Sequence, residues 1–188
     1  VAIAACASTP RRLPSTTAAR AMSWARTSAA LQARPARSTR RASPRQAHGH
    51  LSLVPNDRVQ RQFRRVAETV LREFPADVGG TVLFTGVGSG AHVADIAAQV
   101  AIRLVQQPDT VVTLIDADGA AQHLTERLAC RGQAGLAELL QAEATVASTI
   151  LATDIDNLHF IAFGDRRLTR NPIASGAVNS VLSELRQD

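Results

Sequence analysis

Residues Thr81–Gly119, TVLFTGVGSGAHVADIAAQVAIRLVQQPDTVVTLIDADG, read as strand, glycine turn, helix and strand. Val82, Leu83 and Phe84 form a short apolar run that stops at a turn holding Gly86, Gly88 and Gly90. Apolar residues then recur at Val93, Ile96, Ala97, Val100, Ala101, Leu104 and Val105, the spacing of one buried helical face. Val111, Val112, Leu114 and Ile115 predict a second buried strand, closed by Asp116 and Asp118. Together these make a βαβ unit, and its glycine turn stands where such units bind phosphates or nucleotides.

Outward from this unit the chain divides by charge. Residues 1–50 carry nine Arg and no acid, whereas residues 51–188 carry twelve Arg against sixteen acids. The formal net charge of +5 therefore belongs to the first segment, and the remainder is acidic. A basic nucleic-acid footprint on residues 51–188 is not expected. The first fifty residues are rich in Ala, Ser, Thr, Arg and Pro, with few large apolar side chains. They cannot bury enough surface to offset their ordering entropy, so a disordered tail is expected over 1–50. An organelle transit peptide, a basic arm for anionic surfaces and a non-natural leader (the chain starts at Val1) are the alternatives. Cys6 and Cys130 suggest neither a disulfide framework nor a zinc site, and a reducing, cytoplasmic setting is expected. No stretch has the apolar length of a transmembrane segment.

Before the βαβ unit, Asn56 or Asp57 can cap a helix with apolar positions at Val59, Phe63, Val66, Val70, Leu71 and Phe74, ended by Pro75. Arg58, Arg61, Arg64, Arg65 and Arg72 crowd its other side, as a solvated face or a subunit contact. After the unit, Gln122–Leu128 predicts a short helix, and Leu136, Leu139, Leu140, Val146 and Ile150 predict two more. Leu158–Phe163 alternates like a third strand, Asn171-Pro172 is a turn signal, and Ser175–Arg186 is a last helix. This order predicts an α/β domain over 51–188, a parallel sheet with flanking helices. With only three strands legible, the fold is expected to continue beyond Asp188.

The turn supplies part of a phosphate site. Gly86, Gly88 and Gly90 permit close backbone approach, and the following helix offers its positive end to an anion. A working P-loop also needs a Lys at the terminal phosphates and a Ser or Thr on Mg²⁺. Ala91, His92 and Val93 stand where Gly-Lys-Ser belongs, and the chain contains no Lys at all. A free imidazole is mostly neutral at pH 7, so His92 is a poor substitute for the missing charge. Gly86-x-Gly88-x-x-Ala91 also fits a dinucleotide fingerprint loosely, with Asp116 as ribose acceptor for NAD. The glycine loop of S-adenosylmethionine-dependent methyltransferases is similar, although no acid lies near Phe84. A plain turn without ligand is the simplest alternative.

The segments beyond the unit separate these readings. Leu114-Ile115-Asp116-Ala117-Asp118 resembles the LIDAD segment of bacterial tyrosine kinases, the P-loop proteins of capsule and exopolysaccharide assembly within the deviant-Walker ATPases. Gly135-Leu136-Ala137-Glu138-Leu139-Leu140 with Glu143 is similar to that family's GL-x-x-L-x-x-GE segment. Thr153–Gly164 is similar to its T-x-I-x-N-L-x-x-L-P-A-G strand, Asn171-Pro172 to its NP, and Gln62-Phe63-Arg64 to its EAFR helix. The resemblance covers about residues 55–188, in the family's order.

What the resemblance implies is a degenerate phosphate loop formed by Gly86, Gly88, Ser89, Gly90, Ala91, His92 and Val93, with Asp116 and Asp118 as Mg²⁺ ligands. The implied cofactors are ATP or ADP with Mg²⁺, bound weakly or not at all, and no catalytic residue is assigned. The implied role is a regulatory module of polysaccharide synthesis or export, at the inner face of the cell membrane, beside a membrane-anchored chain-length or export protein. An active ATPase or tyrosine kinase completed by a partner subunit is the alternative within the family. Of the family's Glu-x-x-Arg-x-x-Arg contact motif only Arg64 matches, with Arg61 and Ala67 at the other positions, so a homo-oligomer is not assured. The acid-proline strand of the family would follow Asp188, and its tyrosine-rich tail has no counterpart, since Tyr is absent.

Overall fold

A computed structural model describes residues 2–8, 45–53, 55–74, 79–87, 90–168 and 176–185, with backbone alone for 2–8, 90 and 91. Gly88, Ser89 and the Asn171-Pro172 turn lie outside the described residues. All described residues belong to one compact unit.

The βαβ unit forms where the sequence places it. Strand β3 (Gly80–Phe84) leads through the glycine turn into helix α2 (Gly90–Leu104), which returns to β4 (Thr110–Asp116). Strand β6 (Leu158–Ile161) pairs in parallel with β4, Leu114 opposite Phe160 and Ile115 opposite Ile161. β3, β4 and β6 therefore point the same way, and their C-terminal ends share one edge of the sheet. The fold is mixed α/β with helices on both faces, as the order of elements predicts.

The sheet has more strands than the sequence suggests. Its order is β2-β5-β6-β4-β1-β3, where β1 is Ala2–Ser8, β2 is Arg45–Gln46 and β5 is Leu151–Ala152. β1 lies antiparallel between β3 and β4, with Ala2 opposite both Phe84 and Asp116. The expectation of an unstructured segment over 1–50 thus does not hold for Ala2–Ser8, which sit between β4 and the edge strand β3. The physical reason is pairing rather than burial: a strand hydrogen-bonded on both sides satisfies its backbone even when most of its residues are small. The expected parallel sheet holds for β3, β4 and β6, and antiparallel pairings are added by β1 and by β5, which runs antiparallel to β6.

Side-chain alternation divides the core in two, as a period of two requires. Val112, Leu114, Leu158 and Phe160 face one cluster with α1 (Asp57–Glu73), α2 and α3 (His123–Arg127). Ile115 and Ile161 face a second cluster with α4 (Leu136–Leu140), α5 (Val146–Thr149) and α6 (Ala177–Glu184). Each large apolar side chain buried this way contributes about 1.5–3 kcal/mol.

Helix α1 starts at Asn56, whose side chain accepts from the amides of Arg58 (3.0 Å) and Val59 (3.2 Å). Its buried stripe differs from the apolar pattern. Gln60, Ala67 and Val70 are buried, whereas Val59 and Val66 are exposed. Gln60 is tolerated inside because its amide bonds to Gln99 at 3.4 Å and accepts from Arg103 Nε at 3.1 Å. Gln99 in turn donates to the Ser52 carbonyl at 2.7 Å. Of the expected apolar positions, Val70 is buried and Phe63, Leu71 and Phe74 pack against the same core, so the Gln60 hydrogen bonds add to apolar packing in setting α1 against α2. Arg61 and Arg64 are exposed, and Ala67 is buried at the remaining position of the contact motif.

Candidate functional site

The C-terminal edge of β3, β4 and β6 gathers the residues singled out in the sequence. Phe84 and Asp116 both lie opposite Ala2, so the glycine turn and the acid are two strand spacings apart, roughly 10 Å. A single chain turn and a single acid meet at the same edge, with β1 between them.

At the first of these ends β3 stops at Phe84 and α2 starts at Gly90. Gly90 opens α2, and His92 is exposed on its first turn. Val87 is fully exposed. Val93 is half-buried and turns its Cγ2 against Gly86, so that a Cβ added at Gly86 would lie 2.5 Å from it. A methyl therefore occupies the place beside Gly86 where a P-loop presents a hydroxyl to magnesium. Isosteric as they are, Val and Thr differ by that one ligand atom, and a methyl cannot coordinate a cation.

At the second end the acid is committed to the fold. Asp116 is 1% exposed. Its Oδ1 accepts from the Asp118 amide at 3.0 Å, and its Oδ2 accepts from the Thr125 amide and hydroxyl, each at 2.9 Å. The Thr125 hydroxyl also accepts from the Phe163 amide at 3.0 Å. Asp116 thus joins the end of β4 to α3 and to the segment after β6. Burial pushes its pKa up, opposed by the hydrogen bonds from Thr125 and Asp118, while the charge of Asp118 adds to the rise. Three donors aimed at both oxygens are the surroundings of a carboxylate, and they use much of its coordinating capacity.

Asp118 is half-buried, and its Oδ1 accepts from the amides of Ala120 (3.0 Å) and Ala121 (3.1 Å), closing the turn that leads to α3. Among the described residues no group of three or more His, Cys, Asp or Glu is placed to hold a metal ion. A Mg²⁺ at this edge would have Asp118 and the free lone pairs of Asp116 as protein ligands, with water and a phosphate completing its shell.

Two features of the edge had little signal in the sequence. Thr125 completes the node nine residues after Asp116, at a spacing that matches no short motif. Glu138 is the other: its Oε2 accepts from the Gly135 amide at 2.7 Å, and its Oε1 from the Asp165 amide at 2.9 Å. The GL-x-x-L segment is therefore tied to the loop after β6 by an acid that caps its own helix.

The fold is shared with a solved structure of the chimerical protein CapA2B2, with a TM-score of 0.52 and 18% sequence identity. The match covers 76% of this chain and 66% of that one. No protein-family model matches the sequence. No curated protein matches it either. Among the described residues, no helix is long and apolar enough to cross a membrane.

Proposed function

We propose that the chain is a P-loop-like α/β module of polysaccharide synthesis or export, a degenerate relative of the exopolysaccharide tyrosine kinases that holds nucleotide weakly and transfers no phosphoryl group. The observation that carries this reading is the contact of Val93 with Gly86. It fills the cation side of the turn with hydrocarbon, while His92 stands exposed where the phosphate-binding Lys would be. Catalysis of phosphoryl transfer is mostly electrostatic stabilisation and positioning. A turn that lacks both its cation and its hydroxyl retains only backbone amides for a phosphate.

The sequence resemblance over about residues 55–188 supports the family, and the fold shared with the chimerical protein CapA2B2 supports the class of domain. Action beside a membrane-anchored chain-length protein follows from the resemblance alone. The Rossmann alternative is weakened by the burial of Asp116, whose oxygens point to Thr125 and Asp118 rather than toward a ribose.

Titration of the full chain with Mg-ATP, NAD and S-adenosylmethionine tests the reading. The full chain is required, because β1 supplies an interior strand. Weak Mg-ATP binding without hydrolysis is expected, and His92→Lys with Val93→Ser should tighten it at least tenfold. Tight binding of NAD or the methyl donor without ATP binding overturns the assignment, and ATP hydrolysis by the unaltered chain overturns the inactivity.

A further inference from the structure

A cleft of about 620 Å³ opens beyond the Asp116 node, at the end of β6. This lies within the roughly 300–1,000 Å³ of small-molecule sites, but its walls are polar. It is walled by Gln122 before α3, by Arg131–Gln133, and by Gly164–Arg167. Three wall residues, Gln122, Gly132 and Gly164, have left-handed backbones, with φ of 53°, 78° and 88°. For Gln122 that conformation carries a steric cost that glycine does not incur.

The charges of the cleft are not equivalent. Asp165 accepts from the Arg167 amide at 2.9 Å and from Arg167 Nη2 at 2.8 Å, and that guanidinium holds its carboxyl below the usual range. Glu138 is occupied by the Gly135 and Asp165 amides. Arg131 is paired with Glu126. Arg166 differs. Its Nη1 donates to the Ala120 carbonyl at 3.0 Å, and among the described residues no acid lies within ion-pair distance of it. One bond to a carbonyl fixes the guanidinium and leaves the rest of its donors for an anion. Beside it Gln122, only 8% exposed, donates Nε2 to the Gly164 carbonyl at 3.2 Å and keeps Oε1 as an acceptor.

We propose that this cleft binds a phosphate monoester carried on a hydroxyl-bearing group, such as a sugar phosphate. Arg166 meets the phosphate, and the amides of Gln122 and Gln133 meet the hydroxyls. A positioned guanidinium suits a phosphate fork, whereas side-chain amides can donate to and accept from a hydroxyl at once. The polar walls exclude an apolar ligand and predict modest affinity. The site does not rest on nucleotide binding at the glycine turn, so either can fail without the other.

The test is a titration of the full isotope-labelled chain with glucose 1-phosphate, AMP and inorganic phosphate, followed by amide NMR. Shifts centred on Gly132, Gly164 and Arg166 are expected, with either ester binding more tightly than inorganic phosphate. The stronger of the two esters identifies the carrier as sugar or nucleoside. Arg166→Gln should weaken ester binding about tenfold, with Arg166→Lys in between. Gln133→Ala should weaken the esters and leave inorganic phosphate unchanged, which a loss of folding would not do. Shifts confined to Gly86 and α2, equal affinity for all three probes, or no effect of Arg166→Gln would overturn the proposal.

Discussion

The two strand ends at one edge of this sheet, after β3 and after β4, have opposite characters. After β3, among the described residues, Val87 and His92 lie in solvent and the Val93 methyl packs against Gly86. After β4 the acid is buried and tied by three donors to α3 and, through Thr125, to the segment after β6. Of the described loop residues, Val87 and His92 face solvent, whereas the residue that looks like the loop's metal ligand is hydrogen-bonded on both oxygens. The difference teaches that a motif's two halves can be under different physical control. A surface turn can lose its reactive side chains at little cost in stability, while an acid that has become a junction of the fold cannot be lost so easily.

Substitutions at the two ends should therefore differ in size. Asp116→Ala strips acceptors from two buried amides and a hydroxyl, and should cost about 3 kcal/mol or more in urea unfolding. If it leaves stability intact and abolishes Mg-dependent nucleotide binding instead, the junction reading fails. Asp116→Asn keeps the shape and isolates the charge. Because burial raises the folded pKa of Asp116, its ionisable contribution favours folding fully below about pH 3.8 and is lost as pH rises through the folded value. The Asn variant should flatten that part of the stability profile, and an unchanged slope would show that Asp116 is not its source.

Val93→Ser comes next, trading the methyl contact on Gly86 for a half-buried hydroxyl, with an expected loss of about 1 kcal/mol. His159 on β6 gives a smaller, pH-dependent effect away from both ends. Its Nδ1 is buried with no hydrogen-bond partner among the described residues, and burial lowers its pKa. The stability held by the neutral ring is complete above about pH 6.5 and falls as pH drops, because the unfolded chain takes up the proton first. His159→Phe should remove this dependence below about pH 6.5, measured as the unfolding midpoint against pH. The smallest change is expected at His92→Ala, within about 0.5 kcal/mol, since the side chain is exposed. A larger loss there would mean that the turn is tied down after all.

Much of the fold is legible in the sequence because strong periods mark it. The apolar runs of β3 and β4, the 3.6 period of α2 and the alternation of β6 each report a buried face directly. Ala2–Ser8 escaped notice because their side chains are mostly small, and backbone pairing to partners far along the chain leaves no local trace. Arg45–Gln46 and Leu151–Ala152 are too short to show any period. Val59 and Val66 misled the reading of α1, since hydrophobicity alone cannot reveal that Gln60 has a buried partner in Gln99. At the site, the glycine spacing and the two acids were visible, but Asp116 reads alike as metal ligand or junction until Thr125 is placed beside it. The cleft around Arg166 was invisible because its walls come from separate segments.

The interposed first strand has a consequence for how the molecule assembles. β3 and β4, though joined by one crossover helix, never touch; each must wait for Ala2–Ser8, roughly eighty to a hundred residues earlier in the chain. Closing such long loops delays this pairing until both partner strands are available, and contacts this distant slow the search. Until β3 and β4 reach it, Ala2–Ser8 has both edges unsatisfied, the form most open to pairing with a neighbouring chain. Chaperone dependence and concentration-dependent misassembly on refolding are the expected signs of a sheet whose interior strand is joined to its neighbours only across long loops.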